Sequence, residues 1–231
     1  MSKILALIPA RGGSKRLKGK NILPFLGKPL IAQSVEVAKA CPLVTSVVVS
    51  TDTEDIAEVA RKYGASVPFL RPAELSTDKA SSLDVVLHAI NFLEKQGENY
   101  DLLLLLQPTS PLRTVEDIAL AIKQYKNKNA DGVISVTECE HSPLWSNVLP
   151  ESMQLDNFIS DNIINRRSQD LPTYYRLNGA IYLYSVKELK RRESFFYSPN
   201  VYAYVMPNER SIDIDNKLDF DFAEFIASKN V

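Results

Sequence analysis

Two cysteines, Cys41 and Cys139, are too few for a disulfide framework or a thiolate metal site. They suit a reducing cytoplasm, where this protein is expected to work. The two histidines, His88 and His141, do not assemble a convincing Ser-His-Asp triad. A formal charge of −1 leaves no basic excess of the kind that non-specific nucleic-acid binding requires. No run approaches the roughly 20 apolar residues of a membrane span. The apolar stretch at residues 4–8 is short and followed at once by charge, so neither membrane insertion nor a secretory leader is expected. Internal repeats and low-complexity tracts are also lacking. What remains is 231 residues, 45% hydrophobic and 24% charged. That balance is typical of a soluble globular chain, and the length suits one domain over residues 1–231.

The most informative stretch follows the apolar run at residues 4–8. Between Arg11 and Lys20 there are five basic residues (Arg11, Lys15, Arg16, Lys18 and Lys20) and no acidic one. Gly12 and Gly13 let the backbone turn tightly and present its N–H groups, so a loop of this kind at the end of a buried strand is suited to a polyphosphate. Two familiar nucleotide loops are excluded. Gly12 and Gly13 are adjacent, so the Gly-x-Gly-x-x-Gly dinucleotide fingerprint is absent. Gly19 and Lys20 are in place for a P-loop, but Ser14 and Asn21 stand where it needs glycine and a serine or threonine.

Along the chain, short apolar runs alternate with helical patterns. Strands are expected at residues 4–8, 46–50, 67–70, 102–106, 133–136, 177–184 and 201–206. Helices are expected at 30–40, 54–63, 83–95, 116–125 and 218–229, with Thr53, Ser81 or Ser82, and Thr114 as caps. The five leucines at 102–106 require burial on both faces. The alternation predicts an α/β fold with an open, mainly parallel, doubly wound sheet. Residues 139–176 are polar, proline-containing and weakly periodic, and read as an inserted subdomain or arm. Ligands of such sheets sit beyond the carboxyl ends of the strands. The chemically rich segments fall there: 11–21, then Ser50, Thr51 and Asp52, then 107–113.

Several segments taken together resemble one family. They are Ile8-Pro-Ala-Arg-Gly-Gly-Ser-Lys15, Lys20-Asn21, Leu106-Gln-Pro-Thr-Ser-Pro-Leu-Arg113, Tyr175-Arg-Leu-Asn-Gly-Ala-Ile-Tyr182 and Ser211-Ile-Asp-Ile-Asp215. In this order they resemble the cytidylyltransferases of nine-carbon sugar acids, the CMP-acylneuraminate synthetases with their legionaminate and pseudaminate relatives. The related CMP-Kdo synthetases share the opening loop but lack the 106–113 segment. Some bacterial members carry a further carboxyl-terminal hydrolase domain, which this chain is too short to hold. The resemblance implies a Rossmann-like nucleotidyltransferase fold. The implied reaction is transfer from CTP to a nonulosonic acid, releasing pyrophosphate.

The resemblance also assigns roles. Arg11, Gly12, Gly13, Ser14, Lys15 and Lys20 would hold the triphosphate, with Lys20, Arg11 and Asp213 as the catalytic set. Asn21 would read the cytosine edge, since an amide both donates and accepts. Asp84 lies in a stretch that the family places near the nucleotide, although it equally fits helix-cap chemistry. Gln107, Thr109, Ser110, Asn178 and Gly179 would meet the sugar. Arg113 either meets the sugar carboxylate or salt-bridges near the following helix start. Arg166 and Arg176 are candidates for that carboxylate too. Family members use the arm that holds Arg166 and Arg167 to cross to a second subunit, so a homodimer is expected. Asp213 and Asp215 stand two apart in an extended run, on one face. Spacing alone leaves a surface strand end and a metal pair equally open, and the resemblance implies Mg²⁺.

Overall fold

The computed structural model describes residues 2–195 and 197–229. In chain order the elements are β1 (Ile4–Pro9), β2 (Pro24–Phe25), β3 (Lys28–Pro29), α1 (Leu30–Ala40), β4 (Ser46–Ser50), α2 (Glu54–Lys62), α3 (Ser82–Lys95), β5 (Leu102–Leu105), α4 (Val115–Lys128), β6 (Gly132–Glu138), β7 (Tyr175–Ser185), α5 (Val186–Arg192), β8 (Val201–Val205) and α6 (Lys217–Lys229). Strands β2 and β3 form a small antiparallel pair on their own. The other six form one sheet in the order β4-β1-β5-β7-β6-β8. Strand β1 pairs in parallel with β4 and β5, and β6 with β8. Strand β7 alone runs against its neighbours β5 and β6. The sheet is therefore mainly parallel, as expected.

Both faces are covered, and the alternation of side chains along each strand sorts the core. Ile4, Ala6, Ile8, Leu102, Leu104 and Leu106 pack with Ile31 and Val35 of α1, Ile56 of α2 and Ile118 of α4. Leu5, Leu7, Leu103 and Leu105 face the other way, onto Val86, Ile90 and Leu93 of α3 and Leu189 of α5. Each buried leucine of β5 contributes roughly 1.5–3 kcal/mol relative to exposure.

Local chemistry sets the helix starts. The Ser81 hydroxyl accepts the Asp84 N–H at 3.0 Å, and Thr114 and Asp117 form a reciprocal capping box on α4. Thr53 precedes α2 in an extended conformation, but its side chain makes no capping bond. The strand expected at 67–70 is reduced to isolated bridges at Ser66 and Leu70. Pro68 has no N–H to donate to a ladder. Residues 139–174, between β6 and β7, hold only two single 3-10 turns. Among the described residues no helix is long and apolar enough to cross a membrane.

Candidate active site

The loops that leave β1 and β5 meet the segment running from Arg71 into the start of α3 at a cleft of ≈ 320 Å³. The β1 loop is held shut by its own backbone. Gly12 donates its N–H to Asp52 Oδ1 at 2.9 Å, which ties it to the β4 exit. Ser14 then donates to the Gly12 carbonyl at 2.9 Å, tightening the turn. A side chain at Gly12 would collide with the Thr53 methyl, so only glycine permits this approach. Asn21, buried in the 3-10 turn Lys20–Ile22, donates its amide to the Arg11 carbonyl at 2.9 Å. One amide hydrogen of Asn21 thus closes the loop, while the residue still lines the cleft.

Four of the loop's cations have partners. Lys20 is only 11% exposed, donates to the Ile214 carbonyl at 2.6 Å, and stands 3.7 Å from Asp215 Oδ1. Burial pulls its pKa below the ordinary lysine value, against the pull of Asp215 and Asp213. Arg16 pairs with Asp215 at 2.8 Å. Arg11 and Lys15 both grip Asp78, at 2.8 and 2.5 Å. Their hydrogen bonds, that of Lys15 first, hold the Asp78 carboxyl below the ordinary range.

Asp78 belongs to the stretch that the resemblance places near the nucleotide, and Arg71 is the wall residue that sequence reasoning misses. Arg71 is buried, donates to Ser76 Oγ at 3.1 Å, and lies 3.9 Å from Asp52 Oδ1. A buried arginine on a pocket wall is an anchor for an acceptor-rich ligand. The only signal in the sequence is the Arg71-Pro72 pair closing the run that looks like a strand at 67–70.

Gln107, Pro108 and Thr109 form the facing wall. Thr109 accepts the Ile214 N–H on its carbonyl at 2.8 Å, which docks the acidic segment against the β5 loop. Burial pushes the Asp213 carboxyl above its usual value. The Thr109 hydroxyl holds it back, and the like charge of Asp215 adds to the rise. The two carboxylates are thus near enough to interact, while Asp219 Oδ2 accepts the N–H groups of Asp215 and Asn216 at 2.8 and 2.9 Å and starts α6. Gly179 has φ +73, and a Cβ there would stand 3.2 Å from Gln107 Oε1. The register of β7 against β6 shifts at this point, so the glycine forms a bulge that faces the glutamine.

Several residues expected at the sugar lie beneath the site instead. Ser110 and Arg113 are buried, as is Asn178. Asn178 accepts from Ser135 Oγ at 2.6 Å and donates to Ser211 Oγ at 2.9 Å, linking β6 and β7 to the base of the acidic segment. Ser110 Oγ donates to the Asn178 carbonyl at 3.4 Å. Arg113 neither reaches the cleft nor salt-bridges at the helix start, because Asp117 is taken by Arg210 at 2.9 Å. Asp84 serves the α3 cap and does not line the cleft. Arg176 is held by Glu140 at 2.6 Å outside the lining, and Arg166 lies exposed on the arm. The sequence marks all of these as polar; burial, which tertiary packing decides, separates props from contacts.

Among the described residues no cluster of three or more His, Cys, Asp or Glu gathers. Two carboxylates are what the protein offers. Hard oxygen donors at Asp213 and Asp215 fit Mg²⁺ of the kind completed by substrate phosphates and water.

A cleft at the strand ends walled by cations, with a pair of carboxylates docked beside Lys20 and the β5 loop, suits a nucleotidyltransferase, whose chemistry is charge neutralisation and alignment. Comparison with known proteins agrees. A pseudaminic acid cytidylyltransferase of Campylobacter jejuni is 38% identical over 228 residues, 99% of this chain and 97% of that protein. A CMP-N,N'-diacetyllegionaminic acid synthase of Legionella pneumophila is 36% identical over 234 residues, with 99% and 97% covered. A CMP:2-keto-3-deoxy-manno-octonic acid synthetase solved with CTP shares the fold, with a TM-score of 0.75 over all of both chains at 19% identity. The family model described as Cytidylyltransferase matches residues 5–200, and the chain belongs to that family, as a CTP-dependent nucleotidyltransferase.

Proposed function

We propose that this enzyme transfers the cytidylyl group of CTP to the anomeric hydroxyl of a nonulosonic acid, giving the CMP-sugar and pyrophosphate. The observation that carries this reading is the docking of the acidic segment against the β5 loop through Thr109 and Ile214. It puts Asp213 beside the Gln107–Thr109 wall and Asp215 beside Lys20. Arg11, Lys15 and Lys20 neutralise the triphosphate, while Gly12, expected to offer its N–H to the phosphates, spends it on Asp52. Arg71 and Asn21 line the base side. Gln107 and Gly179 shape the sugar side. Asp213 and Asp215 would hold Mg²⁺, which when bound supplies further charge neutralisation at the phosphates. The hydroxyl attacks the α-phosphorus, its proton passing to solvent water, as the bond to the pyrophosphate oxygen breaks.

N-acetylneuraminate and the legionaminate type are our first substrates. The Campylobacter relative, named for pseudaminic acid and 38% identical, keeps that acid as a second reading. We further propose a homodimer formed through the arm. Val148 is 87% exposed there, and Met153, Leu155 and Ile164 are exposed with it. Light scattering should return twice the chain mass of 25.9 kDa.

The test is pyrophosphate release from CTP with Mg²⁺ against N-acetylneuraminate, diacetyllegionaminate, pseudaminate and Kdo, each with an EDTA control. Strong, EDTA-sensitive turnover of one nonulosonate is expected. Asp213→Asn and Asp215→Asn should each lower kcat by about a hundredfold or more. No turnover with any of the acids by folded protein would sink the reading.

A further inference from the structure

Arg113 is the largest side chain to lie fully buried, 2% exposed. Such a cation is costly to bury, and burial pushes its pKa down to about 9. Its hydrogen bonds all go to neutral acceptors on three separate elements. The guanidinium donates to Ser34 Oγ of α1 at 2.9 Å and to the Ala180 carbonyl of β7 at 3.0 Å. It also donates to the Gln107 carbonyl at the β5 exit. Ala180 adjoins Gly179, whose missing side chain leaves room for Gln107 Oε1. One planar fork therefore fixes both the residue whose amide faces the cleft and the bulge that faces that amide. No nucleotide-side residue touches it: the lysine and arginines of the β1 loop are held by Asp78, Asp215 and Ile214.

We infer that Arg113 is a positioning residue for the sugar-acid subsite, setting the separation of Gln107 from Gly179, and that it does not serve the nucleotide side. This rests on the reading above that Gln107 meets the sugar acid. The geometry asks for arginine in particular. The arginine bonds leave from Nε, Nη1 and Nη2 across one plane, whereas the three donors of a lysine ammonium radiate from a single nitrogen and cannot span the same acceptors.

The experiment is a double-mutant cycle of Arg113→Lys with Gln107→Ala in the dimeric enzyme. It is read as separate KM values for CTP and for the nonulosonic acid turned over in the assay above. Arg113→Lys should raise the sugar-acid KM about tenfold while the CTP KM stays within about twofold. In the Gln107→Ala background the same substitution should add little to the sugar-acid KM, because the group it positions is gone. A merely structural arginine would raise both KM values together, or add its full effect in either background, and either result overturns the inference. If Gln107→Ala itself leaves the sugar-acid KM unchanged, the subsite reading fails first and the inference with it. Should Arg113→Lys not fold, Ser34→Ala removes only the α1 leg of the clamp. In a cycle with Gln107→Ala it is read the same way, with an expected shift of about twofold confined to the sugar acid.

Discussion

Asp78 Oδ1 lies 2.8 Å from the Arg11 guanidinium, and its other oxygen lies 2.5 Å from Lys15. The carboxylate sits on the cleft wall among the residues expected to take a triphosphate. An incoming polyphosphate competes with it for the same two cations. The pairs are substantially exposed, so water screens them and they contribute little to stability. Asp78→Asn should leave the melting temperature almost unmoved. It should tighten CTP binding about two- to fivefold by calorimetry, and the gain should shrink as salt rises. Weaker binding would assign Asp78 to holding the loop open for substrate.

The Gly12–Thr53 approach gives a second test. Gly12→Ala should raise the CTP KM about tenfold, since the loop must shift and the N–H bond to Asp52 is disturbed. Thr53→Ser removes the colliding methyl and should restore most of the loss in the double variant. Failure of that rescue would mean that the loop needs glycine at position 12 for its backbone shape, not for space.

The third prediction concerns stability. Asp117 is 1% exposed and accepts from Thr114, Tyr204 and Arg210, joining α4 to β8 and to the turn before the acidic segment. Burial pushes its carboxyl up, but the hydrogen bonds from Arg210 and Thr114 win, so its folded pKa lies below the ordinary aspartate value. The unfolded chain then binds the proton more readily. The stability from Asp117 is fully present above its unfolded pKa, about 3.9, and is lost as pH falls through the lower folded value. Arg210→Ala leaves this buried carboxylate short of a partner and should cost roughly 2–3 kcal/mol in urea unfolding at neutral pH. In Asp117→Asn the acid-side decline of stability should flatten.

Much of this fold is legible in the residues. Ile4, Ala6 and Ile8 alternate with Leu5 and Leu7, and the two sets do face opposite helical layers. Ser81 and Thr114 announce their helices by cap chemistry. The reversal of β7 carries no such mark, because a buried apolar strand reads alike in either direction. Helix α5, with only Val186 and Leu189 buried, is too short for its period to stand out. At the site, Arg11, Lys20, Asn21, Gln107 and Thr109 line the cleft, as the resemblance implies. Arg113, Asn178 and Ser110 do not, because a polar side chain beside a glycine or proline, in a loop or at a strand bulge, looks the same from the sequence whether it faces substrate or braces the wall.

The reversed strand has a wider consequence. Glu138 at the end of β6 pairs with Tyr175 at the start of β7, so both legs of the intervening arm stand on the same rim as the cleft. An insertion rooted at two neighbouring points behaves as a cassette. Its length and sequence can be rewritten with little disturbance to the sheet beneath, because both of its ends are fixed by one pair of neighbouring strands.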